Sequence, residues 1–216
     1  MEFLPQLIVD ALLLGGIYTL MVIGLALSFG VTRVINFAHG EAVMLGAYGA
    51  FTLFVAFGID PLLALPVLMV VGCVLGMGLF RISIARVLQA PHVNQILLTF
   101  GIGLVLQNAA LITWSADERS VVPSYAYSSL QIGDVFIPGG RLIGFGVALV
   151  LVMALFFWLK STEFGRATRA LAEQREAAVL VGIDVARMYE LAFGLSVALG
   201  AATGAIMSFL GAISPF

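Results

Sequence analysis

Six apolar runs, each close to 20 residues long, divide this sequence and constrain its fold more than any other feature. They cover residues 7–30, 42–57, 62–80, 93–114, 142–159 and 191–212. About 20 apolar residues are enough for a helix to cross the ~30 Å hydrocarbon core of a membrane. A transmembrane barrel would instead show alternating strands of about 10 residues, which the sequence lacks. The runs therefore predict an all-α, polytopic transmembrane helix bundle with about six spans, forming a single domain over residues 1–216.

The composition excludes most other classes of protein. The chain is 62% hydrophobic and only 10% charged, whereas soluble domains carry about 25% charged residues. A net charge of −2 gives no reason to expect a nucleic-acid partner. The only cysteine, Cys73, has no disulfide partner in the chain and is interpreted as a packed thiol.

Motifs for catalysis or for cofactor binding are missing from the sequence. Neither His39 nor His92 stands in a cluster with metal-ligand spacing, and no glycine-rich loop ends in Lys-Ser/Thr. We therefore predict a protein that is not an enzyme and binds no metal or cofactor. Any nucleotide it uses is expected to be bound by another chain.

A short polar interruption, residues 31–40, separates the first two apolar runs. It is either a cytoplasmic turn or an unwound break within the membrane. Polar residues at membrane depth are costly and usually face a cavity, a partner or a neighbouring helix, and transporters often build substrate sites from such discontinuous helices. The predicted substrate pathway comprises Asn36, His39, Gly40, Glu41, Thr99, Gln107 and Asn108. The alternative is that these side chains only form hydrogen bonds between helices.

Small residues recur at four-residue spacing in the last apolar run: Ser196, Gly200, Gly204, Ser208 and Ala212. Such a stripe lets transmembrane helices approach closely. Ala42, Gly46 and Ala50 repeat the pattern in the second run. We interpret both stripes as packing surfaces within the chain, with a subunit interface as the alternative.

Residues 160–190 concentrate the charge of the chain. This segment holds five basic and five acidic residues of the 10 basic and 12 acidic residues present. Helical spacing predicts a short amphipathic helix that lies across one end of the bundle, with Arg169 and Glu173 paired along its surface. Gly182 is predicted to end this helix and Asp184 to cap the next one. The balanced charge favours a protein partner over lipid headgroups, although a solvated amphipathic loop is the alternative.

The distribution of lysine and arginine predicts the orientation in the membrane. If residues 160–190 are cytoplasmic, eight basic residues lie inside and only two, Arg119 and Arg141, lie outside. Cytoplasmic loops carry the excess of Lys and Arg. We therefore expect a multi-pass protein of the bacterial inner membrane with a cytoplasmic loop at 160–190, an outer loop at 115–141 and its N-terminus outside.

Three motifs resemble the LivH-type permease subunit of branched-chain amino acid ABC importers. The most specific is the block around Asn36-Phe37-Ala38-His39-Gly40-Glu41, followed by Gly165-Arg-Ala-x-Arg-Ala-Leu-Ala-Glu173. Glu176-Ala177-Ala178 with Gly182 matches the start of the EAA…G signature of ABC importer permeases. The later Ile-x-Leu-Pro part of that signature is absent, as in this branch of permeases.

The resemblance implies a function and a set of partners. A permease of this family forms the pathway with a second permease subunit, identical or different. Two ATP-binding subunits drive it, and an extracytoplasmic substrate-binding protein delivers the amino acid. The expected coupling residues are Arg166, Arg169, Glu173, Glu176, Ala177, Ala178 and Gly182, with residues 169–182 as the coupling helix. Since family members continue past the position of Phe216, the chain is expected to lack their C-terminal part.

Two other functions remain open at this point. The same machinery carries urea or short amides in related systems, and the residues of the predicted pathway do not separate these substrates from amino acids. A secondary transporter or channel without an ATPase would need charged residues within its spans, where only Glu41 and Asp10 come near.

Overall fold

The computed structural model describes residues 3–133 and 135–215. The predicted outer position of the N-terminal residue concerns Met1, which lies outside these ranges. The long helices are α1 (Phe3–Thr32), α2 (His39–Phe57), α3 (Pro61–Leu79), α5 (His92–Trp114), α6 (Gly139–Ser161) and α9 (Val185–Met207). The shorter elements are a π-helical turn (Phe80–Ile84), α4 (Ala85–Val87), a 3₁₀ turn (Ser124–Tyr127), β1 (Ser129–Ile132), β2 (Val135–Pro138), α7 (Glu163–Glu173) and α8 (Arg175–Leu180).

Six helices in the described part of the chain are long and apolar enough to cross a membrane, which confirms the predicted all-α polytopic bundle. Several predicted boundaries shift. The third span continues through the π-helical turn to Val87, and the fifth begins at Gly139 rather than at residue 142. The last span runs from Val185 to Met207 instead of 191–212, so Ala212 lies beyond the helix.

The helix ends follow from local chemistry. Gly58, with a φ of 67°, ends α2. Asp60 caps α3 by accepting a hydrogen bond from the backbone N–H of Leu62 at 2.8 Å, and Pro61 occupies the first helical position, where its missing N–H costs nothing. The chain therefore turns between α2 and α3 within residues 58–60.

Helix α9 forms the centre of the bundle. Of its 18 most apolar consecutive residues, 72% are buried, whereas at most 33% are buried in the corresponding stretch of the other five spans. It packs against α1, α2 and α3, and a Cβ at Gly204 would meet the carbonyl of Val43 on α2. In the same way, a Cβ at Gly46 would meet Ala201. The predicted small-residue stripes are therefore packing surfaces within the chain.

The bundle has two distinct ends. One, called the loop end here, carries α7 and α8 together with the end of α1 and the beginning of α9. Arg33 reaches Ala172 there, and Arg81 forms a salt bridge with Glu190 at 3.1 Å. Arg33 and Arg81 are two of the eight basic residues predicted to lie on the same side as residues 160–190, and both lie at this end.

The opposite end, called the hairpin end, carries the antiparallel pair β1 and β2, in which Ser129 faces Pro138 and Ile132 faces Val135. The sequence predicts only a loop for residues 115–141, which in fact contains this hairpin. Arg141, placed in that loop, belongs to the first turn of α6 and pairs with Asp10 at 2.6 Å. Tyr125 donates a hydrogen bond to Asp60 at 3.0 Å, and its burial, together with that bond, raises the pKa of its hydroxyl.

Candidate substrate pathway and coupling surface

The chain between α1 and α2 runs back along α1 instead of turning at the end of the bundle. Helix α1 ends at Thr32, yet His39, which begins α2, places its Nε2 atom 3.0 Å from the carbonyl oxygen of Met21. Met21 lies 11 residues before Thr32, about 16 Å at 1.5 Å per residue. Residues 33–38, called the return segment here, therefore lie beside the last turns of α1. The unwound break within the membrane stays a prediction, as does the alternative of a cytoplasmic turn.

Asn36 stabilises the start of α2. Its side chain is buried, and its Oδ1 atom accepts a hydrogen bond from the N–H of Ala38 at 3.1 Å. The carbonyl of Asn36 accepts a second bond from the N–H of His39 at 3.2 Å. The residue also borders an apolar cavity of about 380 Å³ between α2, α3 and α9. Asn36 thus fixes the residues that lead into α2 and lies at the edge of a cavity.

His39 joins three helices. Its ring is buried, and because Nε2 faces the carbonyl of Met21, that nitrogen carries the proton. The Nδ1 atom then accepts from the hydroxyl of Ser196 on α9 at 3.4 Å. His39 therefore contributes to packing between α1, α2 and α9 rather than to the wall of a cavity.

A second cavity of about 530 Å³ lies between α1, α2, α5 and the segment after α9. Gly40, Glu41 and Gln107 line it together with apolar side chains. The Nε2 atom of Gln107 donates to the carbonyl of Pro215 at 2.7 Å. Glu41 has no hydrogen bond or ion pair within the described part of the chain. This space is called the Glu41 cavity below.

The other two predicted pathway residues lie elsewhere. Thr99 is fully buried and donates to the carbonyl of Ile35 at 3.2 Å, which fixes α5 to the return segment. Asn108 is exposed on the outside of the bundle and donates to Leu104 in its own helix at 2.7 Å. The structure brings Gly40, Glu41 and Gln107 together and leaves Asn108 apart from them.

The charged loop forms two helices instead of the single one predicted over 169–182. Thr162 caps α7 by accepting from the N–H of Gly165 at 3.2 Å. Extended backbone at Gln174, with φ −149° and ψ 97°, separates α7 from α8. Gly182, with φ 83°, follows the end of α8, and Asp184 caps α9 by accepting from the N–H of Arg187 at 3.1 Å. Both of these predicted boundaries are confirmed.

The predicted pairing of Arg169 with Glu173 is wrong. The guanidinium of Arg169 instead donates to the carbonyl of Leu159 at 2.8 Å, which ties α7 to the end of α6. Arg166 lies 3.5 Å from Glu163 on the exposed side of α7, and Glu173 is exposed as well. A main-chain carbonyl at the end of a helix offers Arg169 a fixed acceptor, whereas pairing with Glu173 would order two long exposed side chains.

Helix α8 and the residues after it expose an apolar patch. Val179, Leu180 and Val181 are 53%, 87% and 76% exposed, and Glu176 and Ala177 lie beside them on the surface. Residues 176–181, without the buried Ala178, are called the α8 patch below. Three consecutive exposed aliphatic residues on a polar loop are typical of a surface that another protein covers.

The loop is attached to the return segment in two ways. Leu171 of α7 and Ala178 of α8 are buried in one apolar cluster with Val31, Val34 and Tyr189. The Nη2 atom of Arg33 also donates to the carbonyl of Ala172 at 2.9 Å. This role of Arg33 is not predictable from the sequence, since no local pattern connects residues 139 positions apart.

Comparison with known proteins gives one consistent result. The family model described as "Branched-chain amino acid transport system / permease component" matches residues 7–216. The high-affinity branched-chain amino acid transport system permease protein BraD of Pseudomonas aeruginosa is 28% identical, over 99% of this chain and 74% of its own length. The corresponding LivH protein of Escherichia coli is 29% identical over 99% of this chain and 73% of its own length. A probable LivH permease of Methanocaldococcus jannaschii is 30% identical over 95% of this chain and 66% of its own length. No solved structure matches the chain.

Proposed function

Because this chain belongs to the family of permease components of branched-chain amino acid transport systems, we propose that it is a pathway-forming subunit of an ATP-driven importer. It forms, with a second permease subunit, the route by which branched-chain or other apolar amino acids cross the membrane. The family match over residues 7–216 carries this proposal. The relatives' names supply the substrate class, and the six apolar helices agree with a multi-pass membrane protein.

The α8 patch is the proposed docking surface for an ATP-binding subunit. It combines the exposed Glu176 and Ala177 of the EAA motif with the exposed side chains of residues 179–181. A small apolar patch with a charged border is suited to a protein partner. Arg166, Arg169 and Glu173 on α7 are proposed to belong to the same contact. Ala178 is buried beneath the patch, and Gly182, with its φ of 83°, turns the chain after it.

Movement of the ATP-binding subunits would reach the pathway through the return segment. Leu171 and Ala178 are packed against Val31 and Val34, and Arg33 is hydrogen bonded to Ala172. A displacement of α7 and α8 as a rigid unit therefore pulls on the residues that lead into His39, Gly40 and Glu41. Rigid-body shifts of this kind are a common way of coupling two sites.

The Glu41 cavity is the proposed part of the substrate route in this chain. Gly40, Glu41 and Gln107 contribute directly to its wall. Asn36, His39 and Thr99 hold the return segment and the start of α2 in position. Asn108, on the outside of α5, is not part of this proposal.

The proposed partners are a second permease subunit, identical or different, two ATP-binding subunits and an extracytoplasmic substrate-binding protein. Lipid is expected around the exposed apolar faces of α3, α5 and α6, where residues such as Leu63, Val105 and Val150 are exposed. The excess of basic residues at the loop end supports a cytoplasmic position for that end and an outer position for the N-terminus. The inner membrane is the expected location.

Co-purification tests the docking surface and the orientation together. We expect Leu180→Asp and Glu176→Arg each to reduce recovery of the ATP-binding subunit with this chain at least tenfold, about 1.4 kcal/mol. The bundle should fold normally because both side chains are exposed. Since the ATP-binding subunit works in the cytoplasm, loss of binding would also place the loop on that side.

Glu118→Arg is the matched control. It introduces the same change of charge as Glu176→Arg at an exposed position of the hairpin end, away from the α8 patch, and it should leave recovery of the ATP-binding subunit unchanged. Full recovery with both patch variants would refute the proposed docking surface.

A further inference from the structure

Glu41 is a charged residue in a membrane-spanning helix without a partner. It lies in the first turn of α2, and its carboxylate has no hydrogen bond or ion pair within the described part of the chain. The other acidic residues of the described spans, Asp10 and Glu190, are by contrast paired, with Arg141 at 2.6 Å and with Arg81 at 3.1 Å. Charged side chains within a span are costly; they usually face a cavity or pair with a partner, and they mark functional sites such as substrate pathways.

The ordinary structural role for a glutamate at this position is already filled. Three residues after a helix cap, a glutamate often accepts a hydrogen bond from the N–H of the cap residue. Here the cap residue is Ala38, and its N–H donates to Asn36 at 3.1 Å. The N–H of the cap residue is therefore satisfied without Glu41, which lines the cavity.

The surroundings of Glu41 indicate what the cavity can bind. Among the described residues that line it, Glu41 is the only charged one. Most of the others are apolar: Leu14, Ile17, Val43, Met44, Met207 and Leu210. A volume of about 530 Å³ is in the range of small-molecule sites. One carboxylate facing apolar walls suits a solute with a cationic nitrogen and an aliphatic body.

We propose that the Glu41 carboxylate binds the ammonium group of the transported amino acid, while the apolar wall of the cavity accommodates its side chain. This rests on the proposed function and deepens it, because it makes Glu41 the residue that selects the substrate class. An ammonium group donates charge-assisted hydrogen bonds to a carboxylate, which are about twice as strong as neutral ones. Urea and short amides carry no positive charge and leave the carboxylate uncompensated.

Gly103 on α5 contributes to this arrangement. A Cβ at Gly103 would lie 3.6 Å from Cγ and 3.9 Å from Oε1 of Glu41. The absence of a larger side chain here leaves the carboxylate accessible from the side of α5. A large residue at this position would press on Glu41.

Binding of radiolabelled leucine to the full chain in lipid nanodiscs tests the proposal. The probes are four competitors: unlabelled leucine, 3-methylbutylamine, which keeps the ammonium group, 4-methylpentanoate, which lacks it, and urea. Leucine and the amine should displace the label, whereas the acid and urea should not. Glu41→Gln, which keeps the size of the side chain, should weaken leucine binding at least tenfold, as expected for loss of a hydrogen bond between charged groups.

Two further variants are controls for misfolding of the cavity and for nonspecific loss of a carboxylate. Glu41→Asp keeps the negative charge and should retain the preference for the amine over the acid, which a misfolded cavity would not. Glu118→Gln removes an exposed carboxylate from the hairpin end and should bind leucine like the unchanged chain.

The proposal is overturned if the unchanged chain binds no leucine, if Glu41→Gln binds leucine as well as the unchanged chain, or if 4-methylpentanoate competes as well as the amine. Such a failure is distinct from failure of the proposed function. Recovery of the ATP-binding subunit through the α8 patch does not depend on Glu41 and would still support an importer subunit.

Discussion

Arg33 occupies a backbone position that usually belongs to glycine. Its φ of 59° lies in the left-handed region, where a side chain costs about 1–2 kcal/mol. The residue directly follows the end of α1, and its guanidinium donates to Ala172 at the end of α7. The local backbone therefore does not favour a side chain at this position, but the side chain that is present connects α7 to the return segment.

Replacement of Arg33 by glycine separates these two properties. Arg33→Gly suits the left-handed backbone, so the thermal stability of the purified chain should not fall. Because the hydrogen bond to Ala172 is lost, we expect amino acid uptake per ATP hydrolysed to decrease about fivefold, corresponding to about 1 kcal/mol for one hydrogen bond. Uptake and ATP hydrolysis measured together on the reconstituted complex provide the readout.

Arg33→Lys is the control for this variant, since it keeps a cationic donor and should retain part of the coupling. Unchanged uptake per ATP in Arg33→Gly would show that the contact is not used.

For single residues, the sequence predicts which polar positions matter but not the groups that they contact. The polar character of residues 31–40 predicts a role for Asn36 and His39 in the substrate pathway. Their partners, however, are a backbone N–H two residues away and a carbonyl 18 residues back on another helix. Gln107 and Asn108 are adjacent amides that point in different directions on α5, and only the packing around them shows that Gln107 lines the cavity.

At the scale of helices and strands, the apolar runs located every span but not its ends. Helices continue beyond the apolar run because the backbone still gains hydrogen bonds there, as in α1, which reaches Thr32. The hairpin of residues 129–138 had a signal, Gly133-Asp134 between Ile132 and Val135, which is typical of a tight turn between strands. The break at Gln174 had none, since Leu171 and Ala178 are seven residues apart and share a face in an unbroken helix too.

The close packing of α2 on α9 gives a prediction at this scale. Gly204→Ala adds a methyl group that would meet the carbonyl of Val43, and overpacking of this kind costs about 1–3 kcal/mol. We expect a lower melting temperature in detergent for this variant. Gly101→Ala is the matched control, because a Cβ there meets no atom within 4 Å, and alanine favours a helix by up to about 1 kcal/mol.

A melting temperature of Gly204→Ala equal to that of Gly101→Ala would mean that α2 and α9 separate at no cost. The interpretation of the small-residue stripe as an internal packing surface would then be wrong.

At the scale of the whole molecule, the charge pattern predicts which basic residues lie together at each end of the bundle. It does not predict which contacts connect the loop end to the rest of the molecule. Arg33 and Arg81 do lie with the charged loop, and Arg119 and Arg141 lie at the hairpin end. The return segment, the Glu41 cavity and the cluster around Leu171 all bring together residues that are distant in the chain. No periodicity or local motif encodes such contacts, so these features needed the structure.

The proposed permease is driven by an ATP-binding partner through the loop end. Uptake of radiolabelled leucine into proteoliposomes tests this most directly. The vesicles contain this chain, its partner permease, the ATP-binding subunit and the substrate-binding protein, with the unchanged chain or Leu180→Asp. We expect accumulation that requires ATP with the unchanged chain and falls at least tenfold, about 1.4 kcal/mol, with Leu180→Asp. Accumulation that continues without ATP, driven by an ion gradient and unaffected by Leu180→Asp, would contradict it and identify a secondary transporter.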